Sequence, residues 1–188
     1  MSIFDKLKKT AEDAVKSAAD AIGNKSETFT FAALPESLAE MQALPEASLD
    51  SPFKTAALTV CALCAYAADK QIGIDMLNWL RGPEPLSTYA IQFLDDRFRD
   101  GYHVIFSYFK DAKPENDYTP SEPFILTFYT NPYSAENKGY MKLFINSGGA
   151  DNARYVVLRQ RASDGKWFLN DQFLLVGIRK AKSDDPWA

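Results

Sequence analysis

Between Phe53 and Asp69 the chain reads FKTAALTVCALCAYAAD, and this stretch constrains the fold more than any other. Ser51 and Pro52 just before it make a helix start, a side-chain oxygen for the free amides followed by a ring whose φ is already helical. From Ala56 to Ala68 only Thr59 interrupts the apolar side chains. A helix that is apolar all round has no face for water, so other elements must cover it on every side. The run falls short of the roughly 20 residues that span a bilayer. A central buried helix is therefore expected from about Phe53 to Asp69.

The cover has to come from the rest of 188 residues, enough for one domain with a sizeable core. Before the central helix, Thr28 to Leu34 alternates as a strand does, and Pro35 with SLAEMQAL predicts a short helix ended by Pro45. After it, Asp75 is placed to cap a short helix, MLNWLR, closed by Gly82, and Ser87 to cap another, TYAIQFLDDRFR, closed by Gly101. Beyond Gly101 the pattern turns strand-like. Tyr102 to Lys110, Phe124 to Asn131, Tyr140 to Ser147, Arg154 to Gln160, and Lys166 to Arg179 with a break near Asn170 and Asp171 are rich in aromatic and β-branched residues. Turn-rich pieces separate them. The expectation is an α+β fold: N-terminal helices packed on a C-terminal antiparallel sheet of five to six strands, in two layers around one core.

Residues 3 to 22 form a separate unit of the pattern. Phe4, Leu7, Ala11, Val15, Ala18 and Ile22 recur at helical spacing among Lys, Asp and Glu, and Gly23 with Asn24 supplies a stop. The chain thus divides into a separable amphipathic helix at 1–24 and a globular domain at 25–188. The helix stripe is narrow and rich in alanine. Phe4, Leu7, Val15 and Ile22 are its contact residues, toward a protein partner, a second copy, or more weakly a membrane surface, since its polar face mixes both signs of charge. Charged residues break the N-terminus too often for a secretory signal. The expectation is a cytoplasmic protein, peripheral to the inner face of the membrane where that helix acts, with its cysteines reduced.

Cys61 and Cys64 stand three apart inside the buried helix. Their β-carbons would be about 5–6 Å apart there, whereas a disulfide wants about 3.8 Å. They lie too far from the helix N-terminus to gain thiolate character. A structural zinc needs four ligands in most sites, and the chain offers only these two thiols and His103. Inert packing is the expectation, with no metal and no cofactor.

His103 is the only imidazole, so any Ser–His–Asp or Cys–His mechanism must use it. On the expected strand it shares a face with Ile105, Ser107 and Phe109, and Asp95, Asp96 and Asp100 are its nearest acidic companions in sequence. Asp95–Asp96 and Asp184–Asp185 fit ion-pairing surface better than an acid–base pair, and Asp95 stands four residues from Arg99. Neither GxGxxG nor GxxxxGK[ST] occurs; the double glycine Gly148–Gly149 falls in a hairpin connection. The net charge of −4 disfavours nucleic acid. A basic block between Arg154 and Lys182 is scattered by strand alternation, with Arg159 and Arg161 facing one way and Arg154 the other.

The ending RYVVLRQRASDGKWFLNDQ and LLVGIRKAKSDDPWA resembles the C-terminal part of a family of uncharacterised proteins of unknown function from Firmicutes-type bacteria. That resemblance carries no catalytic residues. Two functions follow: a non-catalytic binding or scaffold protein that holds a partner on its aromatic sheet face or through the N-terminal helix, or an enzyme or small-ligand protein with a pocket between sheet and helices near His103.

Overall fold

A computed structural model describes residues 24–99 and 101–187. The expected helix at 3–22 lies outside the described residues. The first element is strand β1, Ser26–Phe31. Its alternation sends Phe29 and Phe31 into the core and leaves Ser26, Thr28 and Thr30 exposed. Helix α1, Leu38–Ala43, starts later than Pro35 suggests. Ser37 is the cap: its Oγ accepts from Glu40 N at 3.2 Å while the Glu40 carboxylate accepts from Glu36 N at 2.9 Å. Two free amides are thereby satisfied from side chains, which outweighs the proline's fixed φ in setting the start. Pro45 then opens a short 3-10 turn, Pro45–Ser48.

Helix α2, Pro52–Ala68, is the central helix, capped by Ser51 as its sequence implies. Residues Ala56 through Ala65 are all buried. Asp69 ends it and starts the next: Asp69 N donates to Ala65 O at 2.7 Å, and its carboxylate accepts from Gln71 N at 2.9 Å and Ile72 N at 3.1 Å. Helix α3 therefore runs Lys70–Arg81. This corrects the short helix expected behind Asp75, which instead lies inside α3 and accepts from Gln71 Nε2 at 2.9 Å. The buried positions Gly73, Met76, Leu77 and Leu80 show the full periodicity. Helix α4, Thr88–Arg99, begins under Ser87, whose Oγ accepts from Ala90 N at 3.1 Å.

The strand expected at Tyr102–Lys110 is instead a 3-10 helix, Tyr102–Tyr108. Ile105 and Tyr108, three apart, both enter the core, which is the 3-10 period and cannot be met by a strand's alternation. Only Lys110 keeps strand-like bonds, donating to Ile125 O at 2.8 Å and accepting from Ser121 N at 3.3 Å. The remaining strands are β2 (Phe124–Tyr129), β3 (Tyr140–Ile145), β4 (Arg154–Gln160) and β5 (Trp167–Gln172). The segment after Gln172, expected as more strand, is irregular.

The sheet is antiparallel in the order β1-β2-β3-β4-β5. Its fifth member is thus β1, brought from before the helices to pair Phe29 with Leu126 and Phe31 with Phe124, and not the 102–110 stretch. Between β2 and β3 pairing covers only Phe128 with Ile145 and Tyr129 with Phe144. Residues 107–110 fill the opening: Gly148 N donates to Ser107 O at 2.8 Å on one side and Lys110 N bonds Ile125 O on the other. The double glycine belongs to this closure. A Cβ on Gly148 would stand 1.9 Å from Ala112 O, and one on Gly149 2.1 Å from Tyr118 Oη.

Helices α2 and α3 lie on one face of the sheet, where Phe29, Phe31, Leu126, Phe128, Leu143, Ile145, Val156, Leu158 and Leu169 share a core with α2. The β5 edge is blocked: Trp167 N donates to Leu49 O, Thr55 Oγ1 donates to Trp167 O, and Arg81 Nη1 donates to Asn170 O, each at 2.8 Å. An edge so occupied offers little to another strand.

Candidate binding cleft

Where α3 and α4 pass over β5, the layers do not close. Leu63 of α2, Leu77 of α3, Leu86 before α4, Phe93 and Leu94 of α4, and Leu169 and Leu175 from the sheet side line a cleft of about 440 Å³. That falls in the range of about 300–1,000 Å³ usual for ligand sites. At its mouth stand Tyr89, 78% exposed, Val176, 50%, and Phe173, 43%. The polar side chains nearby are already engaged. Arg81 donates through Nε to Glu84 O at 2.8 Å as well as to Asn170 O, and Gln172 Oε1 accepts from Leu174 N at 3.0 Å. Asp171 Oδ1 accepts from Gln172 N at 2.8 Å. The cleft thus offers mainly apolar surface with an aromatic rim, and Arg81, Asp171 and Gln172 are its polar lining.

Sequence reasoning missed these residues, although α4 carried a signal. Tyr89, Ala90, Ile91, Phe93, Leu94 and Phe98 cover more of the helix than one buried face needs, and only Leu94 and Phe98 are buried. The segment Phe173–Val176 has the composition of a strand, and its irregular path is what brings Phe173 and Val176 to the rim. Arg154 fixes that path, its guanidinium donating to Val176 O and Gly177 O at 2.8 Å each.

His103 lies elsewhere. Its ring stacks on Tyr118 with centroids 5.7 Å apart and planes at 15°, and meets Tyr102 edge-on. Nδ1 is 3.6 Å from Asp184 Oδ2. Since the stretch is a 3-10 helix, the strand face once shared with Ile105, Ser107 and Phe109 does not exist. Ser107 is buried and its hydroxyl is 2.7 Å from that of Ser147. Asp95 is held by Lys70 at 2.6 Å and by the Tyr66 hydroxyl at 2.8 Å, which together keep its carboxyl below the usual range. The ion pair expected between Asp95 and Arg99 forms from Asp96 instead, at 2.8 Å. Asp100 and the contact residues Phe4, Leu7, Val15 and Ile22 lie outside the described residues.

Cys61 and Cys64 are free and buried, and burial pushes both thiols up, away from the reactive thiolate. Among the described residues no group of three or more His, Cys, Asp or Glu is placed to hold a metal ion. The basic block is largely spent on internal contacts, Arg159 with Glu84 at 3.4 Å, Arg179 with Asp151 at 2.8 Å, and Arg161 with Asp164. Arg159 does share the outer face with Tyr155 and Val157, whereas Arg161 lies past the end of β4. Among the described residues no helix is long and apolar enough to cross a membrane.

These features define an α+β domain with a largely apolar cleft between its layers. The chain belongs to a family described as a domain of unknown function (DUF6935), whose model matches residues 33–182 and so takes in the helices, the cleft and the C-terminal stretch alike. No curated protein matches. No solved structure matches either.

Proposed function

We propose that this is a non-catalytic binding protein that holds apolar side chains of a protein partner in the cleft between α3, α4 and β5. One observation carries the reading. Six large apolar side chains are exposed among the described residues, and three of them, Tyr89, Phe173 and Val176, converge on the mouth of this cleft. Single exposed apolar residues are ordinary; a cluster rimming a cavity is how interfaces are marked. Aromatic residues beside a desolvated pocket are also the usual anchors of binding energy. Residues 25–188 act as the binding domain, residues 1–24 as an accessory contact helix, and the cytoplasm is the compartment that suits two free thiols. The enzyme alternative has less support, because His103 does not line this cleft.

The test fills the cleft. Ala90 lines it from an exposed turn of α4, so Ala90→Trp would plug it without touching the core. Wild-type protein is expected to enhance the fluorescence of anilinonaphthalene sulfonate and to enrich Leu-, Phe- and Trp-bearing peptides from a displayed library. The folded variant is expected to lose both. Equal dye and peptide binding by the two proteins, or none by the wild type, would remove the cleft from consideration.

A further inference from the structure

The outer face of the sheet carries a row of aromatic rings. Tyr129 of β2, Phe144 of β3, Tyr155 of β4 and Phe173 just past β5 follow one another across the strands, with successive centroids 6.1, 5.8 and 4.6 Å apart. Tyr129, Phe144 and Tyr155 are only half-buried. Helices α2 and α3 pack on the opposite face. Lys142 stands over the Tyr155 ring at 5.1 Å and Arg159 over Tyr140 at 5.8 Å, so the row is flanked by cations. Aromatic rings in a continuous line on a sheet face form a surface of the kind a partner covers.

The geometry points to residues 1–23 of the same chain as that cover. This rests on reading them as an amphipathic contact helix. The first argument is where the chain arrives. Thr130 N donates to Lys25 O at 2.8 Å and Ser26 is the Cα partner of Tyr129, so the N-terminal segment joins the domain beside the first ring of the row. The second is length. From β2 to β5 the row spans about 14 Å, three strand spacings of about 4.8 Å. A helix over 3–22 is about 30 Å long and crosses it with residues to spare. The third is complementarity. The stripe of Ala11, Ala18 and their neighbours suits a face of large rings, because small side chains let a helix settle between bulky ones. A competing apolar groove, lined by Leu34, Cys64, Ile72 and Phe106, lies at the opposite end of β1, about 17 Å of strand away from the point of entry.

The full-length chain can report the contact. Cys61 and Cys64 are 0% and 5% exposed, so a thiol introduced by Ser17→Cys, off the apolar stripe, takes a nitroxide label alone. Paramagnetic loss of amide signal is expected at Lys142, Phe144, Tyr155 and Val157, and not at Ile72 or Phe106. Adding Leu7→Asp and Val15→Asp to the labelled chain is expected to restore those signals. Loss at the competing groove, no loss anywhere, or persistence of the loss in the double-aspartate chain would each overturn the proposal. So would loss that appears only in isotope-labelled protein mixed with spin-labelled protein, which would assign the row to a second copy. Comparing Ala90→Trp with the parent chain, both with residues 1–23 unaltered, reads the cleft separately, so failure of one assignment leaves the other standing.

Discussion

Gly73 of α3 rests on the backbone of Tyr66 of α2: a Cβ placed on Gly73 would stand 2.3 Å from Tyr66 Cα and 2.4 Å from its Cβ. The two helices meet at the residue that has no side chain, directly after the Asp69 turn that reverses the chain between them. This contact sets how close α3 lies to the central helix, and α3 in turn supplies Leu77 and Arg81 to the cleft.

Gly73→Ala gives opposite signs for two effects. Helix propensity alone would stabilise by about 1 kcal/mol. The clash is with backbone, which cannot swing aside, and overpacking of this kind costs about 1–3 kcal/mol or more. Net destabilisation is expected in urea unfolding; an alanine variant as stable as the parent would mean that the helices separate freely.

Tyr66→Phe tests the bridge between α2 and α4. The Tyr66 hydroxyl, whose ionisation burial and Asp95 both oppose, donates to Asp95 at 2.8 Å. Its removal is expected to cost about 1 kcal/mol. In a double-mutant cycle with Asp95→Ala the two losses should be less than additive, and strict additivity would show that the bond contributes nothing in solution.

The two thiols are expected to resist modification until the protein opens. Native protein should react slowly with a maleimide, at a rate that rises with urea in step with global unfolding, because Cys61 and Cys64 are both buried in α2. Rapid native labelling of either cysteine would place α2 at a surface.

Acid should loosen the C-terminal tail and the β4–β5 turn. Asp117 accepts from Ser183 N at 2.8 Å, a bond that lowers its carboxyl from the ordinary 3.8. Arg161 lowers that of Asp164 to about 2. A carboxyl lowered in the folded state stabilises fully above its unfolded value and stops doing so as pH falls through the folded one. The expected outcome is that amides of residues 182–185 and 161–166 lose protection between about pH 4 and pH 2 while α2 stays protected. Uniform loss across the domain would contradict it.

His103→Gln should leave dye and peptide binding at the cleft unchanged, since His103 faces Tyr118 and Asp184 on another part of the domain. Loss of the aromatic stack is expected to cost about 1 kcal/mol. A folded variant that has lost its cellular role would favour the enzyme reading instead.

Local chemistry legible in sequence decided the central helix, the caps at Ser51 and Ser87, three of the four C-terminal strands nearly to the residue, and the burial of Cys61 and Cys64, because each rests on neighbours a few positions apart. Where a local signal misled, packing overrode it. Asp75 reads as a cap in sequence, but the packing of Gly73 on Tyr66 requires the helix to begin at Asp69. The stretch YHVIFSYF has the composition of a strand, and it became a 3-10 turn because the gap between β2 and β3 accepts only residues 107–110 while Ile105 and Tyr108 must both point inward. The pairing of β1 with β2, nearly a hundred residues apart, and the convergence of Tyr89 with Phe173 and Val176 were set by the tertiary structure alone. Neither side chain spacing nor composition encodes a distance between segments that meet only after the core between them has packed.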